Sequence, residues 1–172
     1  MVVYGIECLN KISEYLEVTP GKLQIIDNVV TLKNHNLENE DVKGFETILL
    51  YLASVSKYSE ILGLDSVVKA QTRQWLEYAQ LCVNYSDVAA NAKRILKELN
   101  TAVKNNTYIC GTQKTLADLV LYYGMYTILS GLTHQEKAAY INVSRWFDNM
   151  QQEKKLRQDL KLVDFKLLHL LV

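Results

Sequence analysis

Cysteine is scarce in this sequence, and no charge sign is in excess. Three cysteines, Cys8, Cys82 and Cys110, are too few and too scattered for a disulfide framework. No Cys-x-x-Cys or Cys/His cluster has the spacing of a zinc site. Free thiols suit a reducing compartment, the cytosol or nucleus. Nineteen basic residues are matched by nineteen acids, so the basic surplus of a protein that lives on phosphate contacts is missing. His35, His134 and His169 are isolated from one another, which leaves no histidine constellation for a metal or a general base. Residues 1–10 lack the basic end and apolar run of a signal peptide. No stretch reaches the roughly 18–20 apolar residues of a membrane span. The longest candidate, residues 116–132, is broken by Asp118, Gly124 and Gly131 and reads as a buried helix.

Apolar residues make up 49% of the 172 and charged residues 22%, a globular composition with enough material for a core. The length suits one domain or two small ones sharing an interface. Charge is unevenly placed: residues 1–60 carry nine acids against five lysines, and the remainder ten acids against fourteen bases. The two portions, at −4 and +4, attract each other, or each other's copies, at low salt.

Cys8, Leu9, Ile12, Tyr15 and Leu16 recur at helical spacing and predict a helix over residues 6–17, ended by Thr19-Pro20-Gly21. Leu23 to Ile26 and Val29 to Leu32, joined at Asp27-Asn28, predict a hairpin. Asn34 to Asn39 reads as a loop, and Val42, Phe45, Ile48, Leu49 and Leu52 predict a helix over 41–55. This αββα layer is too small to stand well alone. Residues 56–65 are the connector, so the expected division is an N-terminal domain at 1–57 and an all-helical domain at 65–172.

Beyond the connector, Val67, Gln71, Trp75, Tyr78, Ala79 and Cys82 mark one face of a helix over 66–83. Val88, Ala92, Ile95, Leu96, Leu99, Ala102 and Val103 mark one over 86–104, and a short link implies that the two pair antiparallel. Tyr108-Ile109-Cys110-Gly111 is a short extended turn. Thr115-Leu116-Ala117-Asp118 is a capping box with Asp in the third position, and it opens a helix that is apolar on nearly every side. Thr133-His134-Gln135-Glu136 is a second box. A further helix over 142–151 turns Val143, Trp146, Phe147 and Met150 inward, and the leucine-rich tail from Glu153 packs back. Thr115 and Asp118 are structural caps, and the positive end of the helix dipole favours the Asp118 charge.

A small αββα part, a connector and an all-α part with a helix opened by a [Ser/Thr]-x-x-Asp box resembles the layout of glutathione-transferase-like proteins. The resemblance sharpens at Gln74-Trp75-Leu76-Glu77-Tyr78, between Thr107 and Gly124, and from Leu132 through Asn142-Val143-Ser144-Arg145-Trp146-Phe147. These segments resemble the family of the third aminoacyl-tRNA synthetase complex-interacting multifunctional protein, also called elongation factor 1 epsilon-like. The match covers residues 65–150 well and the N-terminal part in layout only. It implies a mainly α, glutathione-transferase-like fold whose N-terminal part is a reduced thioredoxin-like αββα unit. It further implies a non-catalytic scaffold without a cofactor, which docks onto similar domains of methionyl-tRNA synthetase and glutamyl-prolyl-tRNA synthetase. The implied setting is cytoplasmic, with movement to the nucleus in the DNA-damage response.

A working glutathione transferase needs a thiolate-stabilising Tyr, Ser or Cys, a cis-proline before the third strand and an acid–Ser pair. Here the only proline is Pro20, Asp41-Val42-Lys43-Gly44 replaces the acid–Ser pair, and the first strand is reduced to Val2-Val3-Tyr4. Tyr4 and Cys8 are the remaining thiolate partners, against a reading of Tyr4 as partly exposed and Cys8 as packing. The alternative function is therefore a divergent glutathione-dependent transferase. Arg145 has three readings: solvated, bonded to a neighbouring carbonyl, or, with Ser144 as a second partner-binding residue, an anchor for a partner's carboxylate. The resemblance implies the last. A second partner surface, the dimer face of glutathione transferases, would use the 41–55 and 66–83 helices with Tyr51, Ser54, Tyr58, Arg73 and Glu77, and could serve a homodimer in isolation. Lys93-Arg94-x-x-Lys97 and Lys154-Lys155-x-Arg157 read as solvated faces, with no motif for specific nucleic-acid binding.

Overall fold

The computed structural model describes residues 4–33 and 41–165. Readings that fall on Val2, Val3, His35, His169, the 34–39 loop, Leu167 and Leu168 lie outside the described residues. Helix α1, Ile6–Leu16, buries Cys8, Leu9, Ile12, Tyr15 and Leu16. It stops at Glu17, whose φ of 55° is left-handed, a conformation that costs a glutamate more than the usual glycine. Strands β1, Lys22–Ile26, and β2, Val29–Lys33, form the expected antiparallel hairpin. Asp27 and Asn28, with φ of 51° and 63°, supply the left-handed turn that matches strand twist.

A third strand, β3 at Val42–Lys43, pairs Val42 with Leu32 where the sequence pattern implied the start of a helix. Helix α2 therefore begins later, at Phe45–Val55. Gly44 explains the offset: its φ of 93° turns the chain, and its N–H donates to Val30 O at 2.9 Å. The N-terminal layer is αβββα, one short strand richer than expected.

A tight turn, Ser59–Leu62, leads to α3, Ser66–Leu81, capped by Asp65, which accepts from Val68 N at 2.8 Å. A second tight turn, Val83–Tyr85, precedes α4, Ala89–Ala102. Helices α5, Leu116–Gly131, α6, His134–Ala139, α7, Ile141–Gln152, and α8, Lys154–Arg157, complete the described chain. Two face assignments are corrected. On α3 the buried residues are Thr72, Leu76 and Ala79, while Val67 is 64% exposed and Gln71 is exposed. Of the stripe that periodicity marked, Ala79 is buried and Trp75, Tyr78 and Cys82 pack on the core, while its first two members, Val67 and Gln71, face solvent. On α4, Val88 is exposed, because it precedes the helix as its N-cap. The two helices touch through Tyr78 Oη and Glu98 at 2.5 Å, but α3 packs chiefly on α5 and α4 chiefly on α7.

Helix α5 is the centre. Every residue from Leu116 to Met125 is buried, and α1, α3 and α7 pack against it. Core residues of both parts of the chain form one cluster. Tyr4, read as partly exposed, is buried instead: its hydroxyl donates to Val120 O at 3.3 Å, and it lies over Gly124, where any Cβ would collide with it.

Both capping boxes close. Asp118 does far more than cap. Its fully buried carboxylate accepts from Thr115 N and Ile109 N at 2.8 Å, from Trp146 Nε1 at 2.9 Å and from the Thr115 hydroxyl at 3.1 Å. Burial pushes its pKa up, and these four donors pull against that shift. Asp118→Ala leaves three buried N–H donors without acceptors, each worth about 1–3 kcal/mol. The expected loss is at least about 3 kcal/mol, a fall in melting temperature of roughly 6–12 °C, with altered Trp146 fluorescence. Thermal denaturation followed by fluorescence checks it, and a shift under about 2 °C would refute this account.

Candidate docking surfaces

The α2 and α3 helices flank a groove of about 280 Å³ lined by Leu50, Ser54, Leu62, Lys69, Thr72 and Arg73. Gln80 Nε2 donates to Glu46 Oε2 at 3.3 Å and ties the same two helices together. Outward of the groove, α3 presents Val67, Ala70, Gln71 and Gln74, all exposed and all uncharged. A charged row, Lys69, Arg73 and Glu77, runs beside them and is also exposed. Val55 and Leu64 extend the apolar exposure at 52% and 73%. Of the residues the sequence assigned here, Ser54, Arg73 and Glu77 are exposed, and Tyr51 and Tyr58 are half-buried.

Tyr58 is held internally. Its hydroxyl donates to Glu17 Oε1 at 2.8 Å and accepts from Lys155 Nζ at 3.0 Å. Its ring meets Lys155 Nζ at 4.3 Å and Lys57 Nζ at 5.1 Å. Glu17 also pairs with Lys155 at 2.6 Å and with Lys57. These hydrogen bonds and ion pairs hold the Glu17 carboxyl down to about 2. This four-residue clasp escaped sequence reading. Only the charge asymmetry hinted at it, and Lys11 pairs with Asp159 at 2.7 Å in the opposite sense.

The second surface is built where α4 and α7 exchange caps. Asn100 Oδ1, from α4, accepts from Asn142 N at 2.9 Å and Val143 N at 3.2 Å, the first turn of α7. Arg145 of α7 reaches back: its Nη2 donates to Val103 O at 2.7 Å and Asn106 O at 2.8 Å, at the end of α4. A cation there meets the negative end of the α4 dipole, so the carbonyl-bonded reading of Arg145 is present in the fold. The residue is nonetheless exposed. Ser144 is a correction. It is 3% exposed, and its hydroxyl donates to Lys137 O at 2.9 Å, so it faces the core of the helix pair and not a partner.

The residues considered for thiolate chemistry are buried. Cys8 is 5% exposed, and burial pushes its thiol up to about 12. Burial likewise raises the Tyr4 phenol. Both shifts favour the neutral forms, the reverse of what an activated nucleophile needs. Of the basic clusters, Lys93, Arg94 and Lys97 are exposed, Lys155 sits in the clasp, and Arg157 Nη1 donates to Gln151 O at 3.0 Å.

Residues 68–154 match the family model described as nuclear-export cofactor Arc1p. The mouse eukaryotic translation elongation factor 1 epsilon-1 is 36% identical over 122 residues, 71% of this chain and 70% of that protein. The tRNA-aminoacylation cofactor arc1 of Schizosaccharomyces pombe is 27% identical over 119 residues, 69% of this chain and 25% of that protein. The mouse bifunctional glutamate/proline–tRNA ligase is 26% identical over 112 residues, 64% of this chain but 7% of that protein. Among solved structures, a glutathione S-transferase from Pichia kudriavzevii superposes with a TM-score of 0.73 at 14% identity over 89% of each chain, a likeness of fold.

The clasp makes a pH prediction. The Glu17 carboxyl lies below its ordinary 4.5 in the folded protein, so its contribution is complete above about pH 4.5 and fades as pH falls towards 2. In acid titrations monitored by circular dichroism, Glu17→Gln should flatten the loss of stability in that window and leave the curve above pH 6 parallel to wild type. An unchanged acid limb would refute the assignment.

Proposed function

The chain belongs to the family of eukaryotic translation elongation factor 1 epsilon-1, and from that membership and its two surfaces we propose that it is a non-catalytic scaffold of an aminoacyl-tRNA synthetase assembly. The partners are the glutathione-transferase-like domains of methionyl- and glutamyl-prolyl-tRNA synthetases. Residues 1–57 act as a reduced thioredoxin-like unit and residues 65–172 as the all-helical one. The protein works in the cytoplasm, with a second role in the nucleus during the DNA-damage response, and pairs with itself when no partner is present.

The observation that carries this reading is the outward face of α3. Val67, Ala70, Gln71 and Gln74 form an uncharged exposed stripe on the outer side of α3, with Lys69 and Arg73 between it and the α2–α3 groove. An uncharged helix face left exposed among the described residues suits a helical partner face, framed by the polar rim that Lys69, Arg73 and Glu77 supply. Arg145 supports the second surface: Nη2 serves the α4 carbonyls, and the rest of its planar fork has the donors for a partner's carboxylate. Tyr51 and Arg73 contribute to the first surface. The buried, neutral Cys8 and Tyr4 weigh against the divergent-transferase alternative.

Calorimetry with purified glutathione-transferase-like domains of the two synthetases tests this. Val67→Glu should abolish binding of one domain while leaving the melting temperature unchanged, because Val67 is exposed. Arg145→Lys, which keeps a cation on the α4 carbonyls but lacks the fork, should weaken the glutamyl-prolyl domain about ten-fold or more. Retention on immobilised glutathione together with thiol-transfer turnover would sink the scaffold reading. Undiminished binding by Arg145→Lys would remove that residue from it.

A further inference from the structure

The clasp around Tyr58 connects to the groove through the backbone. Tyr58 O accepts from Ile61 N at 2.9 Å and so closes the Ser59–Leu62 turn. The last residue of that turn, Leu62, is a wall of the α2–α3 groove. Tyr58 N is itself fixed by the Ser56 hydroxyl at 3.1 Å, and Ser56 is buried. Whatever holds the Tyr58 side chain therefore holds one side of the groove.

What holds it comes from the far end of the chain. Lys155 on α8 lies 4.3 Å from the Tyr58 ring centroid and 5.1 Å from that of Tyr15, so its ammonium sits against two aromatic faces while it bonds Glu17 and the Tyr58 hydroxyl. Glu17 occupies the left-handed position that ends α1, and its side chain leaves that cap for the clasp. Nothing in the capping of α1 calls for an acid there, since its main-chain bonds to Glu14 O and Ser13 O need no side chain. The segment bearing Lys155 has anchors of its own. Glu153 accepts from Tyr15 Oη at 3.0 Å and pairs with Lys114, Asp159 pairs with Lys11, and Tyr123 Oη donates to Leu156 O at 2.6 Å. Lys155 is thus not needed to keep the segment in place.

Resting on the docking reading given above, we propose that Lys155 is a positioning residue of the α2–α3 docking surface, acting through Tyr58 and the turn that ends at Leu62. It need not touch the partner, and its effect is confined to that surface. The Arg145 surface, anchored by the α4–α7 cap exchange, is independent of it.

The test measures both synthetase domains against Lys155→Met and Lys155→Arg. Lys155→Met should weaken the domain that Val67→Glu abolishes by about five-fold, the effect of losing one exposed charged partner. It should leave the Arg145-dependent domain unchanged and the melting temperature close to wild type. Lys155→Arg, which can still bridge Glu17 and face both rings, should restore the affinity. Raising the salt to about 1 M should erase the difference between wild type and Lys155→Met. Unaltered affinity in Lys155→Met overturns the proposal, as does equal weakening at both surfaces, which would mark a general loosening. Failure of wild type to bind either domain overturns the docking reading and this proposal together. Binding by wild type that Lys155→Met does not disturb overturns this proposal alone.

Discussion

A carboxylate fully buried in the core has to be satisfied by donors placed around it, and Asp118 organises the fold on that basis. Its two oxygens gather the start of α5, the Tyr108–Gly111 turn through Ile109, and α7 through the Trp146 indole. Moving any of these strands an unsatisfied polar group in the core. That requirement fixes where α7 sits against α5. It thereby fixes where Arg145, one residue before Trp146, meets the end of α4.

The α4–α7 cap exchange gives Arg145 a structural task and leaves it exposed. Arg145 serves the last carbonyls of α4, and the same exposed guanidinium is what a partner would meet. Asn100 answers from the other direction by capping the first amides of α7. An arginine's five donors make this double duty feasible, where a lysine's single ammonium would be consumed by the carbonyls. Ser144 shows the opposite outcome. One position away, it turns inward to Lys137 O and has no surface role.

The N-terminal part carries the same logic into the loss of chemistry. Tyr4 lies over Gly124 and donates to the α5 backbone, and Cys8 sits in the core with its proton held on. Positions that could face a substrate serve instead to seal the small layer onto α5. The remaining polarity of that layer is directed at the clasp, where Glu17, Lys57, Tyr58 and Lys155 meet.

Most of the element order could be read from sequence, because helix spacing, the Asp27-Asn28 turn and both capping boxes are local signals carried by neighbouring residues. Short β3 escaped because two residues have no period, and the conformation of Gly44 ends the strand only once β2 is there to pair with it. The α3 face was misread because Thr72, its hydroxyl satisfied by Val68 O, is buried in the fold, while Val67 is left outside. Apolar type alone does not say which side a neighbouring helix will occupy. By itself the sequence determined the order of the helices and the two capping boxes. Only the tertiary structure decided that Ile109 N and Trp146 Nε1 also donate to Asp118, the exchange between Asn100 and Arg145 and the Lys155 clasp. Each of these joins separate parts of the chain, from nine positions apart for Ile109 and Asp118 to 138 for Glu17 and Lys155, whose meeting depends on how finished helices pack.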